Sequence, residues 1–346
     1  MIIKGIAASL PERRVTNEEV IDLVRHHSAK GFTGDLERTL RILMRLIKRS
    51  GSIERRWCDR HESPIDHVAI AVREALSRCY LRRQHIELVV YVGVARGFLE
   101  PSNGHMIANA LGFHHAQCFD VVEACMSWVR ALDMIDSFFK TGRYRNALII
   151  NAEMPSFEGG PNFPHFLTLS NETEIPYSFP SLTIGDGATA TILYPKEPDN
   201  FEFSFSTRPD LSALCTMPLV GYQEFCHPEP EIGKRGITQL TSFAEPLFRH
   251  GHAEITKLFK QAPNARDIDI LITHTSSEVE WDKAAAAVGM TDKLFQIYPM
   301  TGNLVSASIP AAICIAERQG RLTRGMKVGT WMGSAGMSFA FTKFRY

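Results

Sequence analysis

The sequence predicts an α/β protein built from two similar halves, and three observations carry that prediction. Ile86-Glu-Leu and Ile268-Asp-Ile both enter apolar strands after a polar helix end, 268 − 86 = 182 positions apart. Gly142-Arg-Tyr-Arg and Gly320-Arg-Leu-Thr-Arg both close a helix and lead into a strand, 320 − 142 = 178 apart. Adding 178 to 125 carries Cys125 onto Asn303, and each lies in a turn before a helix. Two matched landmarks at nearly equal offsets are the mark of one α/β unit used twice. The halves are set at residues 1–195 and 196–346. On this reading, two polar residues at matching helix N-termini face each other across a pseudo-dyad.

The elements follow in order. Ile2 to Ala8 reads as a strand. Pro11 to Val15 turn the chain, and Thr16-x-x-Glu19 forms a capping box that opens a helix through about Val24. A basic amphipathic stretch, Gly31 to Ser50, is helical after Asp35, and a further helix covers about Asp66 to Arg78. Ile86 to Gly93 is a buried strand. It leads through the loop Arg96-Gly-Phe98-Leu-Glu100-Pro-Ser-Asn into a short helix ending at Leu111-Gly112. Phe119, Val121 and Val122 mark a strand. After Cys125, Met126, Val129, Leu132, Met134 and Ile135 recur at helical spacing up to Gly142. Arg143 to Ile150 is a strand. Pro155 to Pro180 is a long loop or cap, of the kind that is usually functional or disordered. Ile184 to Leu193 turns into a strand. Residues 199 to 235 show little pattern and are expected to shape a specificity region. Gln239 to about Lys260 is helical, and a strand then ends at His274.

Composition excludes several classes. The chain has 346 residues, 45% of them hydrophobic and 22% charged, ordinary for a globular protein. Lys+Arg and Asp+Glu both number 38, so no global field argues for nucleic acid or a membrane surface. The seven cysteines show no CxxC, and there is no HExxH; neither a metal site nor a disulfide framework is expected. Met1-Ile-Ile-Lys-Gly-Ile reads as a strand and not a leader, and no run reaches the roughly 20 apolar residues of a membrane span. A cytoplasmic location with reduced thiols is the expectation.

The chemistry centres on Cys125. Its strand-to-helix turn offers free N–H groups and the positive end of a helix dipole, which are expected to lower the thiol pKa and make a usable nucleophile. His274 sits at the carboxyl end of a strand, where α/β sheets place their ligands. Cys, His and Asn at three such ends suit acyl chemistry. The thiolate accepts an acyl group from a thioester, while His274 Nε2 and the Asn303 amide hold an oxyanion or stabilise a carbanion. Asp186, in Gly185-Asp-Gly, reads as a structural residue of a tight turn. The basic run from Arg38 to Arg60 fits either the phosphates of CoA, an acidic carrier protein, or a solvated face.

The chain resembles the thiolase superfamily, and within it the ketoacyl-acyl-carrier-protein synthase III group, nearly end to end. The likeness rests on the Cys125 turn, Ile53-Glu-Arg-Arg56, the Leu111-Gly112 step, the Glu153 region, Gly185-Asp-Gly-Ala188, Gly302-Asn-x-x-Ser-Ala-Ser-Ile-Pro310 and Gly333-Ser-Ala-Gly336. It implies a five-layer αβαβα sandwich, normally a homodimer, that uses CoA or phosphopantetheine thioesters and no cofactor. It implies Cys125 as the acylated nucleophile, His274 and Asn303 in the second half-reaction, and an oxyanion hole from the backbone of Cys125 and Ala335. Arg56 and Phe98 are implied at the substrate.

The departures bear on the substrate. His274-Thr-Ser-Ser replaces the His-Gln-Ala-Asn of fatty-acid starter enzymes, and Leu46 stands where those enzymes carry a tryptophan on the CoA adenine. Glu100 replaces an aromatic residue before the proline of the loop that crosses the dimer interface. This resembles the branch that joins two acyl-CoA chains head to head without decarboxylation, where such a glutamate serves as a base in trans. A base is needed there because no CO₂ leaves and an α-proton must be removed. The implied activity is a Claisen condensation in fatty acid or polyketide biosynthesis. The rivals are acyl transfer to an alcohol or amine of a secondary metabolite, and a non-catalytic subunit of a condensing enzyme.

Overall fold

The computed structural model describes residues 1–160, 162–198 and 200–346. Pro161 and Asp199, inside the two stretches 155–180 and 199–235, lie outside the described residues. Two five-stranded sheets form the frame. The first comprises β1 (Ile2–Ser9), β2 (Leu88–Val92), β3 (Gln117–Val121), β4 (Ala147–Glu153) and β5 (Gly187–Tyr194) in the order β1-β5-β4-β2-β3. The second comprises β6 (Phe201–Thr207), β7 (Ile270–Thr273), β8 (Leu294–Phe295), β9 (Lys327–Ser334) and β10 (Ser338–Arg345) in the order β6-β10-β9-β7-β8.

Replacing each strand of the first order by its counterpart gives the second. The directions match too. β1–β5 and β5–β4 are antiparallel while β4–β2 and β2–β3 are parallel. The pairs β6–β10, β10–β9, β9–β7 and β7–β8 repeat that sequence.

The helices are α1 (Asn17–Ser28), α2 (Leu36–Arg49), α3 (Pro64–Arg78), α4 (Asn103–Leu111), α5 (Ser127–Lys140), α6 (Ala244–Gln261), α7 (Glu278–Val288) and α8 (Ser308–Arg318). Helices α5 and α8 lie between the sheets. Their Trp128, Leu132, Ile309 and Ile313 share one core with Leu88, Val90 and Ile149 of the first sheet and Ile270, Ile272 and Val328 of the second. The other face of the first sheet, through Val89, Tyr91 and Leu148, packs on α3 and α4. The other face of the second, through Leu271, Trp331 and Phe341, packs on α6 and α7. The layers are therefore αβαβα. Strands β2 and β7 are buried on both faces, which is why they read as unbroken apolar runs.

Helix α1 begins where the capping box places it, with Thr16 Oγ1 accepting the Glu19 N–H at 3.1 Å. Helix α2 follows its Asp35 cap and buries Leu40, Leu43 and Ile47, leaving Arg38, Arg41, Arg45 and Lys48 to solvent. Together α1 and α2 cap the first half over Trp57, Phe166 and Leu182.

Two elements differ from the sequence reading. The 199–235 stretch contains an edge strand, β6, whose Phe201, Phe203 and Phe205 alternate with Glu202, Ser204 and Ser206. Helix α6 starts at Ala244 and not Gln239. The intervening Thr241–Ser242 instead pairs with Cys215–Thr216 in a two-stranded ribbon, which uses the backbone groups a helix would need.

Candidate active site

Cys125 lies in a 3₁₀ turn, Ala124–Met126, that opens α5 beyond the carboxyl end of β3. Ala124, before it, holds a φ of +47°, a left-handed value that costs a non-glycine residue on the order of 1 kcal/mol or more. Cys125, His274, Asn303 and Ala335 line one cavity of about 150 Å³. Residues far apart in the chain and drawn from both sheets thus converge, as the sequence led one to expect.

The register between the halves corrects the expected symmetry. The turns Ala124–Met126 and Val305–Ala307 are equivalent, as are the starts of α5 and α8 and the ends of β4 and β9. Their offset is 308 − 127 = 181. Ala124 and Val305 even share the same unusual φ, +47° and +49°. The counterpart of Cys125 is therefore Ser306. Asn303 belongs to an additional segment of the second half, containing the short helix Tyr298–Thr301, for which the first half has no equivalent. The offset of 178, read from the helix ends, reached Asn303 because α8 has 11 residues where α5 has 14, a slip of three.

Asn303 is fixed by its own backbone. Its N–H donates to Thr183 O at 2.8 Å and its carbonyl accepts the Gly185 N–H at 3.0 Å. Its side-chain Oδ1 accepts the Val305 N–H at 2.8 Å. With Oδ1 so engaged, Nδ2 is the end of the amide left to donate into the cavity. Gly302 permits this approach: a Cβ there would lie 2.5 Å from Thr183 O and 2.8 Å from the Arg55 Cβ.

His274 follows β7 and is buried, with its Nδ1 3.0 Å from Ser308 Oγ. Ser308 Oγ donates its single proton to Val305 O at 2.7 Å. It therefore accepts from both His274 Nδ1–H and Thr275 Oγ1–H, the latter at 2.6 Å. Thr275 Oγ1 in turn accepts the Leu304 N–H at 2.8 Å. This network puts the imidazole proton on Nδ1 and leaves Nε2 as an acceptor at rest. Burial pushes the His274 pKa down to about 4, so the ring is neutral near pH 7.

The thiol does not behave as the helix terminus alone suggests. Burial raises the Cys125 pKa well above its ordinary value, and Cys215 and Glu153 add to this; its own N–H and the Ser334 hydroxyl only partly oppose it. The exposed part of Cys125 opens on the cavity and not on bulk water, so desolvation outweighs the dipole. Thiol and imidazole are both neutral at rest.

The other sequence-derived residues fall into two groups. Asp186 is structural as expected: fully buried, it accepts the N–H of Cys58 at 2.8 Å and of Ser156 at 3.1 Å, and the Ser156 hydroxyl. Burial pushes its pKa up to about 6. Arg56, Phe98 and Glu100 do not line the cavity. Arg56 Nη1 reaches Pro11 O and Glu12 O. Phe98 and Leu99 are 43% and 73% exposed, beside an exposed Glu100.

That loop is held firmly at its roots. The buried Glu153 carboxylate accepts the N–H groups of Val94 and Ala95 at 3.0 and 3.1 Å. Asp120 accepts Arg96 Nη1 and the N–H groups of Asn103 and Gly104. Asn103 Oδ1 accepts the Gly97 N–H at 3.2 Å. Only the tip projects.

Sequence reasoning missed the walls of the cavity. Among the described residues of 155–235 only Phe179, Pro180, Thr183 and Cys215 contribute, whereas α6 supplies Leu247, Phe248, Gly251 and Ile255. The signal was a glycine inside an amphipathic helix, where it weakens the helix unless space is needed. Ser308 was also missed as the partner of His274.

A neutral thiol, a neutral imidazole and an amide donor around one largely apolar cavity are the equipment of an acyltransferase of the condensing class. Comparison with known proteins narrows this. Residues 119–157 match the 3-oxoacyl-[acyl-carrier-protein] synthase III family and residues 258–346 match its C-terminal domain. The beta-ketoacyl-[acyl-carrier-protein] synthase III of Symbiobacterium thermophilum is 25% identical, over 99% of this chain and 97% of that one. Among solved structures, Xanthomonas campestris OleA with bound lauric acid and lauroyl-CoA superposes with a TM-score of 0.79 at 20% identity, covering 99% of this chain and 98% of that one. The 3-oxoacyl-[acyl-carrier-protein] synthase III of Aquifex aeolicus gives a TM-score of 0.76 at 19% identity, over 99% of both chains. Along its whole length the chain is thus similar to condensing enzymes of the ketoacyl synthase III kind, and it has the thiolase fold.

Proposed function

We propose that the chain runs a two-step condensation in which Cys125 is acylated by an acyl thioester and the acyl group is then joined to the α-carbon of a second thioester. The observation that carries this is the convergence of Cys125, His274, Asn303 and Ala335 on one cavity. In the first step the Cys125 sulfur attacks the thioester carbonyl as its proton passes to His274 Nε2. The departing thiolate takes that proton, and His274 returns to its neutral form. The N–H of Cys125, in the first turn of its helix, and that of Ala335, which meets no backbone acceptor among the described residues, serve the oxyanion. In the second step Asn303 Nδ2 donates to the enolate oxygen of the incoming thioester. The enolate carbon attacks the acyl-enzyme, and the Cys125 thiolate leaves.

Carbanion formation requires loss of either CO₂ or an α-proton. We assign the second route, with Glu100 of a second copy as the base. Its support is the tip Phe98-Leu99-Glu100, a carboxylate and two exposed apolar side chains on a loop whose roots are tied down. A homodimer follows, each copy lending its tip to the other. Phe98 on the same tip and Arg56 are assigned to the substrate. CoA or carrier-protein thioesters are the substrates, no cofactor takes part, and the division at residues 195 and 196 separates the two copies of the unit. The location is cytoplasmic. The likeness to the OleA structure with bound lauroyl-CoA favours acyl-CoA over a carrier-bound donor.

The test loads the enzyme with an acyl-CoA, removes excess donor, and adds malonyl-CoA or a second acyl-CoA. Discharge by acyl-CoA without CO₂, lost in Glu100→Ala protein that still acylates, is the expected result. Discharge by malonyl-CoA alone with CO₂ release would overturn the role of Glu100. Discharge only by an alcohol or amine would overturn the condensation.

A further inference from the structure

We propose that Cys58, Glu62 and His67 form a binding site for one zinc-type divalent ion, separate from the catalytic cavity, which none of them lines. Cys58 and Glu62 lie on the loop that enters α3, and His67 is in that helix's first turns. One ligand atom from each lies within 4.8 Å of the other two. His67 Nε2 is 3.4 Å from Glu62 Oε1. Zinc bonds to nitrogen and oxygen of about 2.1 Å set tetrahedral ligand atoms about 3.4 Å apart, so that separation already suits a shared ion.

Three further observations point the same way. His67 is 5% exposed, and its Nε2 is a buried nitrogen with no hydrogen-bond partner. Its Nδ1 meets Ser9 Oγ at 2.9 Å, the outer hydrogen bond that metal-binding histidines usually make. The surroundings also lack a cation. Glu62, and the buried Asp186 that accepts the Cys58 N–H, have no Lys or Arg in ion-pair contact among the described residues. Two carboxyl groups without a counter-charge favour a bound cation.

Cys58 is the third ligand. It is 5% exposed, and its Sγ lies 3.4 Å from Met154 Sδ, so the sulfur side is closed to water. Burial holds the thiol protonated in the metal-free protein. Metal binding forms the sulfur–metal bond and releases that proton to solvent. Glu62 is half-buried and gives the ion its path from outside. Three protein ligands leave the fourth position to water. The ion would clamp the β1 end, the loop and α3 together beneath the Gly185-Asp-Gly turn. The spacing Cys58-x₃-Glu62-x₄-His67 matches no common zinc signature, so the site does not show in the sequence.

The test titrates metal-free full-length protein with Co²⁺ and with Zn²⁺. Expected are one equivalent bound and a thiolate-to-cobalt charge-transfer band that Zn²⁺ abolishes. The band should vanish in Cys58→Ser. The affinity should fall at least tenfold in His67→Gln, with the helical circular dichroism of both variants unchanged. Ser9→Ala gives a second handle that leaves all three ligands in place: it should weaken binding while keeping the band. No binding, or a band that survives Cys58→Ser, would overturn the proposal. Neither result bears on acylation of Cys125, which is measured separately.

Discussion

Cys125 and Ser306 occupy the same place in the two halves, each the second residue of a 3₁₀ turn that opens a central helix. Their neighbours correspond as well. Ser334, at the end of β9, is the counterpart of Glu153, at the end of β4. Ser334 Oγ accepts the Met126 N–H beside Cys125, whereas Glu153 accepts the Ser306 hydroxyl at 2.6 Å. One copy of the turn thus places a thiol on the cavity. The other became a buried strut that holds the root of the 93–103 loop through Val94 and Ala95. Asn303 came from neither copy but from the insertion before Val305.

The strut gives a first prediction. Glu153→Gln keeps the shape but loses one acceptor oxygen for the amides of Val94 and Ala95. Condensation should fall about tenfold or more while acylation of Cys125 is little changed, because the loop carrying Glu100 loosens. Separate measurement of the two half-reactions checks this.

Asn303→Ala removes the amide donor and leaves the thiol in place. We expect a condensation rate lower by roughly 10²–10³, in the range seen when one oxyanion donor is deleted, with acylation retained. Single-turnover discharge of a preloaded acyl-enzyme reads the second step alone.

Ser308→Ala frees His274 Nδ1 and lets the ring choose its tautomer. A loss of roughly ten- to hundredfold in acylation is expected, with little change in thermal stability. Ser308→Thr, which keeps a hydroxyl at that place, should recover most of the rate.

The His274 pKa of about 4 makes a prediction about pH. Its folded value lies below the ordinary 6.5, so the unfolded chain binds more protons between these limits. The contribution to stability is therefore complete above about pH 6.5 and is lost as pH falls through about 4. Asp186, raised to about 6, acts with the opposite sign, losing its contribution as pH rises through 6. Nitrogen-15 spectra of labelled protein should show His274 neutral down to about pH 5, and a midpoint near 6.5 would contradict its burial.

Gly251 lines the cavity from α6, where a Cβ would lie 3.5 Å from Met337 Cε and 3.7 Å from Phe339 Cε1. One methyl fits, and anything larger intrudes. Gly251→Ala should raise helix stability by up to about 1 kcal/mol. Gly251→Leu should shift the preferred donor to shorter acyl chains, read from acyl-enzyme yields across a chain-length series.

The frame was legible because its signals are local. The Thr16 and Asp35 caps, the apolar runs of β2 and β7, and the glycine stops at 112 and 142 each depend on neighbours in the chain. Cys125 and His274 were legible as residues at turns following strands, and Asn303 as a residue in a turn before a helix. The pairing of Cys125 with Asn303 was a misreading because α8 is three residues shorter than α5, which matched helix ends alone do not reveal. Strand β6 did carry a period of two in Phe201, Phe203 and Phe205, but it follows a stretch of Pro and charge that reads as loop. The thiol pKa was misjudged for a different reason. A helix dipole can be inferred from a turn, whereas desolvation depends on chain segments that arrive from far away, here Cys215 and the 333–337 hairpin.

The central claim is that Cys125 carries the acyl group between the two steps. Intact-protein mass spectrometry after incubation with a series of acyl-CoAs tests it most directly. The account predicts a single added acyl mass that maps to Cys125 and is absent from Cys125→Ala protein. An adduct of equal rate and yield in that variant, or one that maps to Cys215, would contradict it.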